Sequence, residues 1–338
     1  MMNPKKSFHI PYHEDYLFEA VDMDKLRPGK SYSTLFNNRD YMLETILDEF
    51  GQVPPELLET VPCPLCHSKD HVWELEKDSF QLVKCTNCEC VFVNPRLTPA
   101  AYVQTYKSNN YGHIINELAL SSHDYRKLRF GVERINQIEK FARPDSPKSL
   151  LDIGSASGFF LESAKEKGWE VLGIELSPPA IEFSRSRGLD ILEETFDEID
   201  FGSRKFTVIT MFDVLEHLPN PATTIHKIKN LLNPGGLLYL YIPNWNSASR
   251  LILGTKAHFI WPTHHLTYFT PKTITSFLEK HDFSVESIET NGLDIEDWIW
   301  QLSEQGENTD TLESKKNELQ FLINSSLWGK NLRVLARV

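Results

Sequence analysis

Leu150-Leu151-Asp152-Ile153-Gly154-Ser155-Ala156-Ser157-Gly158-Phe159-Phe160 is the stretch whose reading decides the fold. An apolar run stops at a glycine turn, and two phenylalanines open an amphipathic segment: strand, bend, helix. Glycine permits the sharp bend and lets a ligand approach the backbone closely. The start of the following helix offers unpaired N–H groups to a carboxylate. Working outward, Ser149–Ile153 reads as a strand, Gly158–Lys167 as a helix, Glu170–Ile174 as a strand and Pro179–Arg187 as a helix. Asp190–Leu192 and Phe206–Phe212 are further strands, Pro221–Leu232 a helix and Leu237–Ile242 a strand. Thr273–Lys280 then reads as a helix, with Ser284–Glu289 and Asn331–Val338 as the last strands. Strands alternating with helices predict right-handed crossovers and a mostly parallel α/β sheet.

The turn also limits the ligand. A dinucleotide fingerprint needs GxGxxG, but position 156 is Ala and position 159 is Phe. Asp152, two residues before the first glycine, suits a cationic amino group better than a phosphate. Glu175 closes the second strand, 17 positions after Gly158, where an acid accepts hydrogen bonds from ribose hydroxyls. An adenosyl ligand with an amino-acid tail fits these features together.

All five cysteines lie between positions 63 and 90. Cys63-Pro-Leu-Cys66 and Cys85-Thr-Asn-Cys88 are CxxC pairs separated by 18 residues, the spacing of a two-knuckle zinc site. Four thiolates close a tetrahedral shell, so such a Zn²⁺ is structural and leaves no position for water. Cys90 is an alternative to Cys88, but a CxxC turn is the better knuckle, and Cys90 is read as a non-ligand. His67 and His71 read as solvated turn residues. The absence of an apolar signal core behind Met1–Phe8 argues against two secreted disulfides and for a cytoplasmic protein.

The chain divides into a helical segment (1–60), a zinc ribbon (61–96), a helical cap or linker (97–146) and an α/β domain (147–338) with a polar insertion at 293–325. Asn38–Phe50 and Ser122–Phe141 read as helices, and within the insertion Leu312–Leu322 does too. With Lys+Arg 35 and Asp+Glu 47 the net charge is −12, which disfavours a general nucleic-acid binder. No apolar run approaches the ~20 residues that cross a bilayer.

Four motifs in order carry a resemblance. Asp152-x-Gly154-x-x-x-Gly158 is followed by Gly173-Ile174-Glu175-Leu176-Ser177. Phe212-Asp213-Val214-Leu215-Glu216-His217-Leu218-Pro219-Asn220-Pro221 and Leu232-Asn233-Pro234-Gly235-Gly236 come next. Together they resemble class I S-adenosylmethionine-dependent methyltransferases, particularly the subgroup with a later His265-Leu266-Thr267-Tyr268-Phe269-Thr270 segment. A ribbon ahead of that domain is similar to methyltransferases of sugar and natural-product pathways. The resemblance implies a Rossmann-like, seven-stranded, mostly parallel sheet. It implies that Asp152, Gly154, Ser155 and Gly158 hold the methionine end and Glu175 the ribose. Leu176, Thr195 and Phe196 would border the adenine, and Phe212 and Asp213 the methyl. Ala156 and Glu89 depart from the family pattern, which usually has Gly at both places.

Methyl transfer from a sulfonium needs in-line alignment above all, and positioning supplies much of the rate. A hydroxyl acceptor also gains from a base. His265, His217 and His264 are the candidate bases. Tyr102, Tyr106, Tyr111, Trp245 and Tyr268 are candidate walls of an acceptor pocket. Glu216 with His217 resembles the end of a strand in quinone-precursor O-methyltransferases, which implies a divalent cation as a further reading. The acceptors implied are small molecules, among them a nucleotide-linked sugar or a biosynthetic intermediate. An RNA substrate read by the ribbon is the competing class. Residues 61–96 carry Lys69, Lys77, Lys84 and Arg96 against Asp70, Glu74, Glu76, Asp78 and Glu89, or 4 − 5 = −1, without a basic stripe.

Overall fold

A computed structural model describes residues 20–28, 39–106 and 120–338. The N-terminal part forms strands β1 (Leu58–Glu59), β2 (His71–Lys77), β3 (Phe80–Cys85), β4 (Val91–Val93) and β5 (Arg96–Leu97). The α/β part adds β6 (Ser149–Ile153), β7 (Glu170–Ile174), β8 (Ile191–Leu192), β9 (Phe206–Phe212) and β10 (Leu232–Pro243). Three more follow: β11 (Thr267–Tyr268), β12 (Ser284–Asn291) and β13 (Asn331–Arg337).

Seven strands make the main sheet in the order β12-β13-β10-β9-β6-β7-β8. The strands from β8 to β10 are parallel, and β13 is antiparallel to both β10 and β12. Leu150, Leu151, Val208, Ile209 and Leu238 are fully buried, as strands covered by helices on both faces require. The chain runs outward from β6 to β8, then restarts at β9 on the other side. The carboxyl ends of β6 and β9 therefore flank the topological switch point, where ligands bind in such sheets.

The structure differs from the sequence reading in several elements. The helix expected over Asn38–Phe50 is helical only over 39–44 among the described residues. Met42 and Ile46 face the core there, while Tyr41 and Phe50 are 57% and 80% exposed. The Ser122–Phe141 helix is broken into His123–Arg126, a π turn over Lys127–Gly131, and Val132–Phe141. Gly131 lies against the helix Phe159–Glu166, so close that an added Cβ would stand 2.3 Å from Ser163 Oγ. The insertion holds two helices, Asp294–Glu304 and Asp310–Ser325.

The ribbon is more than a hairpin. Its sheet has the order β11-β4-β3-β2, so the edge strand comes from the far end of the chain. Thr267 pairs with Phe92 and Tyr268 with Val91. The 61–96 segment is thus sewn into the α/β domain by backbone hydrogen bonds. Tyr102, on the helix Pro99–Tyr106, adds a second tie: its hydroxyl donates to His217 O at 2.8 Å and His264 O at 3.0 Å.

Candidate functional site

The glycine turn is held from three sides. Gly154 and Gly158 adopt φ of 77° and 73°. A Cβ on Gly154 would meet Val214 Cγ2 at 2.4 Å, so the β9 loop closes directly over the turn. His123 fixes the turn from outside, with Nδ1 3.0 Å from Ser157 Oγ and Nε2 2.9 Å from Glu162 Oε2. Ala156 sits at φ 46°, and its N–H donates to Glu175 Oε2 at 2.8 Å. Glu175 Oε1 accepts from the N–H groups of Leu176 and Ser177, both at 2.8 Å. A carboxylate accepts about four hydrogen bonds, so Glu175 has room for one more without releasing a backbone donor.

Asp152 is buried and accepts from the Thr210 hydroxyl at 2.6 Å. Burial pushes its carboxyl up to about 7, against the pull of that hydrogen bond and of the nearby Arg134 guanidinium. An uncompensated buried acid of this kind suits a cationic partner. Ser155 Oγ is buried close by without a hydrogen-bond partner. These groups fit the amino-acid end and ribose of S-adenosylmethionine: an acid for the amine, an orphan hydroxyl, and a turn with space for no side chain.

Beyond β9 the backbone turns at Asp213 with φ 56°, pinned by its N–H to Tyr241 O at 2.7 Å. Arg134 reaches in from the helix Val132–Phe141. Its guanidinium lies 4.1 Å from the Phe212 ring centroid, 4.8 Å from Tyr241 and 5.4 Å from Phe159. Aromatic faces hold a cation in place without neutralising it. Asp213, Tyr241 and Arg134 open onto a cavity of about 950 Å³ that extends to both insertion helices.

The histidines gather on the other side of the β9 loop. His217 Nδ1 lies 3.0 Å from His264 O, and His265 Nδ1 lies 2.7 Å from Phe259 O. A carbonyl only accepts, so each Nδ1 carries the proton and each Nε2 keeps its lone pair. The two rings meet edge to face at 4.7 Å. Between them Glu216 is buried, and neither of its oxygens has a hydrogen-bond partner. Glu216, His217 and His265 each offer a ligand atom, all within 4.8 Å of one another. Burial drives His217 down to about 4 and His265 well below its usual range, so both are neutral, and it raises Glu216 well above the usual carboxylate range. His264 is fully buried and stacked 4.2 Å from Trp261.

The sulfurs of Cys63, Cys66, Cys85 and Cys88 also lie within 4.8 Å of one another, with Cys63–Cys88 and Cys66–Cys85 at 3.5 Å. Zn–S bonds of about 2.3 Å give a tetrahedron with edges of about 3.8 Å, so the cluster fits Zn²⁺. The two knuckles repeat one turn: His67 N–H donates to Cys63 O at 2.9 Å, and Glu89 N–H to Cys85 O at 3.0 Å. Both donor residues sit at positive φ, 62° and 64°, a backbone conformation that glycine adopts without a steric penalty. Cys90 occupies the place of Ser68 in this repeat, its carbonyl closing the knuckle onto Cys85 N–H at 2.9 Å. Its thiol is buried outside the sulfur group.

A family model for a methyltransferase domain matches residues 120–288, half of the chain. The chain belongs to the methyltransferase-domain family. Among curated relatives of this methyltransferase chain is the ubiquinone biosynthesis O-methyltransferase of Hydrogenovibrio crunogenus. It is 28% identical over 152 residues, covering 43% of this chain and 63% of the relative. The protein of the same name from Alkalilimnicola ehrlichii is 32% identical over 118 residues, covering 32% and 48%. The chain thus spans less than two thirds of the length of these relatives. Among solved structures, a SAM-dependent methyltransferase from Archaeoglobus fulgidus aligns with 20% identity and TM-score 0.47, over 68% of this chain and all of that one. The plantazolicin methyltransferase BpumL in complex with SAH aligns with 16% identity and TM-score 0.47, over 70% and 93%.

The methyltransferase domain thus brings together Asp152, Gly154, Ser155, Gly158, Glu175 and Asp213 at one sheet edge. Leu176 and Thr195 are exposed nearby, whereas Phe196 is buried under Lys227, whose ammonium lies 4.8 Å from its ring. Trp245 and Tyr268 meet at a tilt of 58°, with ring centroids 5.2 Å apart, inside the core beneath the ribbon and do not line the large cavity. The side chain of Tyr106 and the whole of Tyr111 lie outside the described residues. Sequence reasoning missed Arg134, Arg126 and Thr210. Arg134 was hidden because it neighbours Ile135 on an amphipathic helix, where a charge reads as solvated; its only signal was its place just ahead of the glycine turn.

Proposed function

We propose that the protein transfers the methyl group of S-adenosylmethionine to a small-molecule acceptor seated in the cavity beside Asp213. The observation that carries this is the convergence of Asp152, Glu175, Asp213 and Arg134 around the glycine turn, in a chain of the methyltransferase-domain family. Arg134 would take the carboxylate of the amino-acid tail, and Asp152 its ammonium. Glu175 would accept from a ribose hydroxyl, while Leu176, Thr195 and Phe196 border the adenine. The sulfonium supplies an activated methyl, so the chain's own contribution is alignment. Phe212, fixed between Phe160 and Tyr239 at ring distances of 5.1 and 5.3 Å, and Asp213 set the floor against which the acceptor is aimed. Titration of the full chain with S-adenosylhomocysteine tests the reading. Saturable binding is expected, and none would end it. Labelled S-adenosylmethionine with cell extract would then reveal the acceptor.

A second reading concerns the histidine cluster. Two imidazoles that present Nε2 lone pairs around a buried carboxylate fit a divalent cation, and both Nδ1–H groups are held by carbonyls as ligating histidines require. Such an ion would supply Lewis acidity for an oxygen acceptor, as in the quinone-precursor O-methyltransferases that this segment resembles. The competing role is a base, which places the acceptor on the histidine side of the β9 loop rather than in the cavity: His217 or His265 would take its proton at Nε2. Metal analysis, with Glu216→Gln as control, separates the two. Retained Mn²⁺ that is lost in the variant supports the ion, and no uptake leaves the base.

A further inference from the structure

The cavity carries more positive charge than the cofactor uses. Four of its cations take part in ion pairs. Arg129 and Arg333 share Glu133, Lys316 takes Glu296, and Lys330 takes Asp297. Arg126 and Arg134 are different. Both line the cavity, and neither has a carboxylate within ion-pair distance among the described residues. The Arg126 side chain donates from Nε to Ser122 Oγ at 2.7 Å, and Arg134 rests on aromatic faces. Asp213 faces both from farther off. Eight Lys and Arg side chains line the cavity against four Asp and Glu, and Asp297 pairs Lys330 from just outside it, which leaves a surplus of +3 (8 − 5); a sulfonium beside Asp213 would raise it again. A zwitterionic amino-acid tail adds no net charge, so it cannot remove the excess.

Like charges in a cavity walled by protein repel more strongly than in water. Burial together with Arg27 and Arg134 already lowers Arg126 to about 10. A neutral acceptor would leave this repulsion standing. A planar guanidinium matches a carboxylate or phosphate in two parallel hydrogen bonds. The volume of about 950 Å³ is ample for an acceptor with an anionic group some distance from its reacting atom.

We infer that the acceptor carries an oxyanion, a phosphate or a carboxylate, and that Arg126 anchors it while the insertion helices Asp294–Glu304 and Asp310–Ser325 wall the far side. The inference rests on the methyltransferase reading above and names the substrate class of the same site. Arg134 serves the cofactor; Arg126 serves the acceptor. The short helix that bears Arg126 also holds the glycine turn through His123, so acceptor and cofactor sites share one support.

The test uses the full chain saturated with S-adenosylhomocysteine and titrated with inorganic pyrophosphate and, separately, with benzoate. At least one probe is expected to bind saturably. Pyrophosphate alone assigns a phosphate, benzoate alone a carboxylate, and both a general oxyanion site. Arg126→Gln should weaken the bound probe at least about tenfold, as for loss of a charge-assisted pair, with Arg126→Lys recovering part of it. Affinity for S-adenosylhomocysteine should stay within about twofold in both variants, since Arg126 is assigned to the acceptor. If neither probe binds the loaded protein, or if Arg126→Gln leaves probe affinity unchanged, the inference is overturned while the methyltransferase reading stands. If S-adenosylhomocysteine itself does not bind, both are overturned. Should Arg126→Gln fail to fold, a wild-type crystal with the bound probe decides: density on Arg126 supports the inference, and density elsewhere overturns it.

Discussion

Asp152 shows how one residue links burial to ligand binding. Its carboxyl rises from 3.8 to about 7 on folding. Between those values the folded chain binds more protons than the unfolded one, so this group makes stability fall as pH rises from about 4 to about 7 and then level off. An ammonium placed against Asp152 favours its ionised form. Binding of S-adenosylhomocysteine at pH 6 should therefore release close to one proton, measurable by calorimetry in buffers of different ionisation enthalpy. Asp152→Asn should abolish the release. Glu175→Ala should weaken the same ligand by about 10- to 100-fold, the worth of hydrogen bonds to a charged group, and unchanged affinity would remove Glu175 from the site. Gly154→Ala should cost about 1–3 kcal/mol in denaturant unfolding, because a methyl at φ 77° is strained and collides with Val214. These residues were legible in the sequence because Asp152 and Gly154 share one strand-turn-helix and Glu175 directly follows the very next strand. Arg134 was harder to read, since what marks it is the lack of a carboxylate partner among the described residues, and that is a property of three dimensions.

At the scale of elements, the ribbon is the instructive case. The clustering of its four thiols could be read from spacing, because a knuckle is a local turn. Its fourth strand could not: β11 lies far along the chain and is only two residues long, too short for any period to show. The pairing matters to the site, since the segment from Phe259 to Tyr268 carries both His264 and His265 and is anchored to β4. Cys63→Ser should drop the zinc content from about one per chain toward zero and loosen this segment. Hydrogen exchange in the paired segments Thr267–Tyr268 and Val91–Val93 should rise with it. Full zinc content in the variant would contradict the four-thiolate assignment. The π turn over Lys127–Gly131 belongs at the same scale. A long amphipathic period predicted one helix, and the contact between Gly131 and Ser163 reset its phase.

For the whole molecule, the consequence is coupling. Ribbon and sheet share backbone hydrogen bonds through β11, and Tyr102 bonds to the carbonyls of both loops that bear histidines. Removal of zinc by a chelator should lower the midpoint of thermal unfolding of the entire described body in one transition. Two separate transitions, with the sheet unchanged, would show an independent ribbon. The cavity is equally a product of the whole: its lining runs from Arg27 through Arg134 and Asp213 to Lys330.

The sequence by itself determined the alternation of strands and helices, the cofactor turn with its two acids, and the four clustered thiols. Each rests on interactions within about twenty residues, where period, spacing and backbone geometry are written directly. Only the tertiary structure decided which strand completes the ribbon, which histidines share a carboxylate, and where unmatched arginines face a common space. Those depend on which distant groups exclude water together, and burial, charge balance and orphaned polar atoms exist only once the chain has closed on itself.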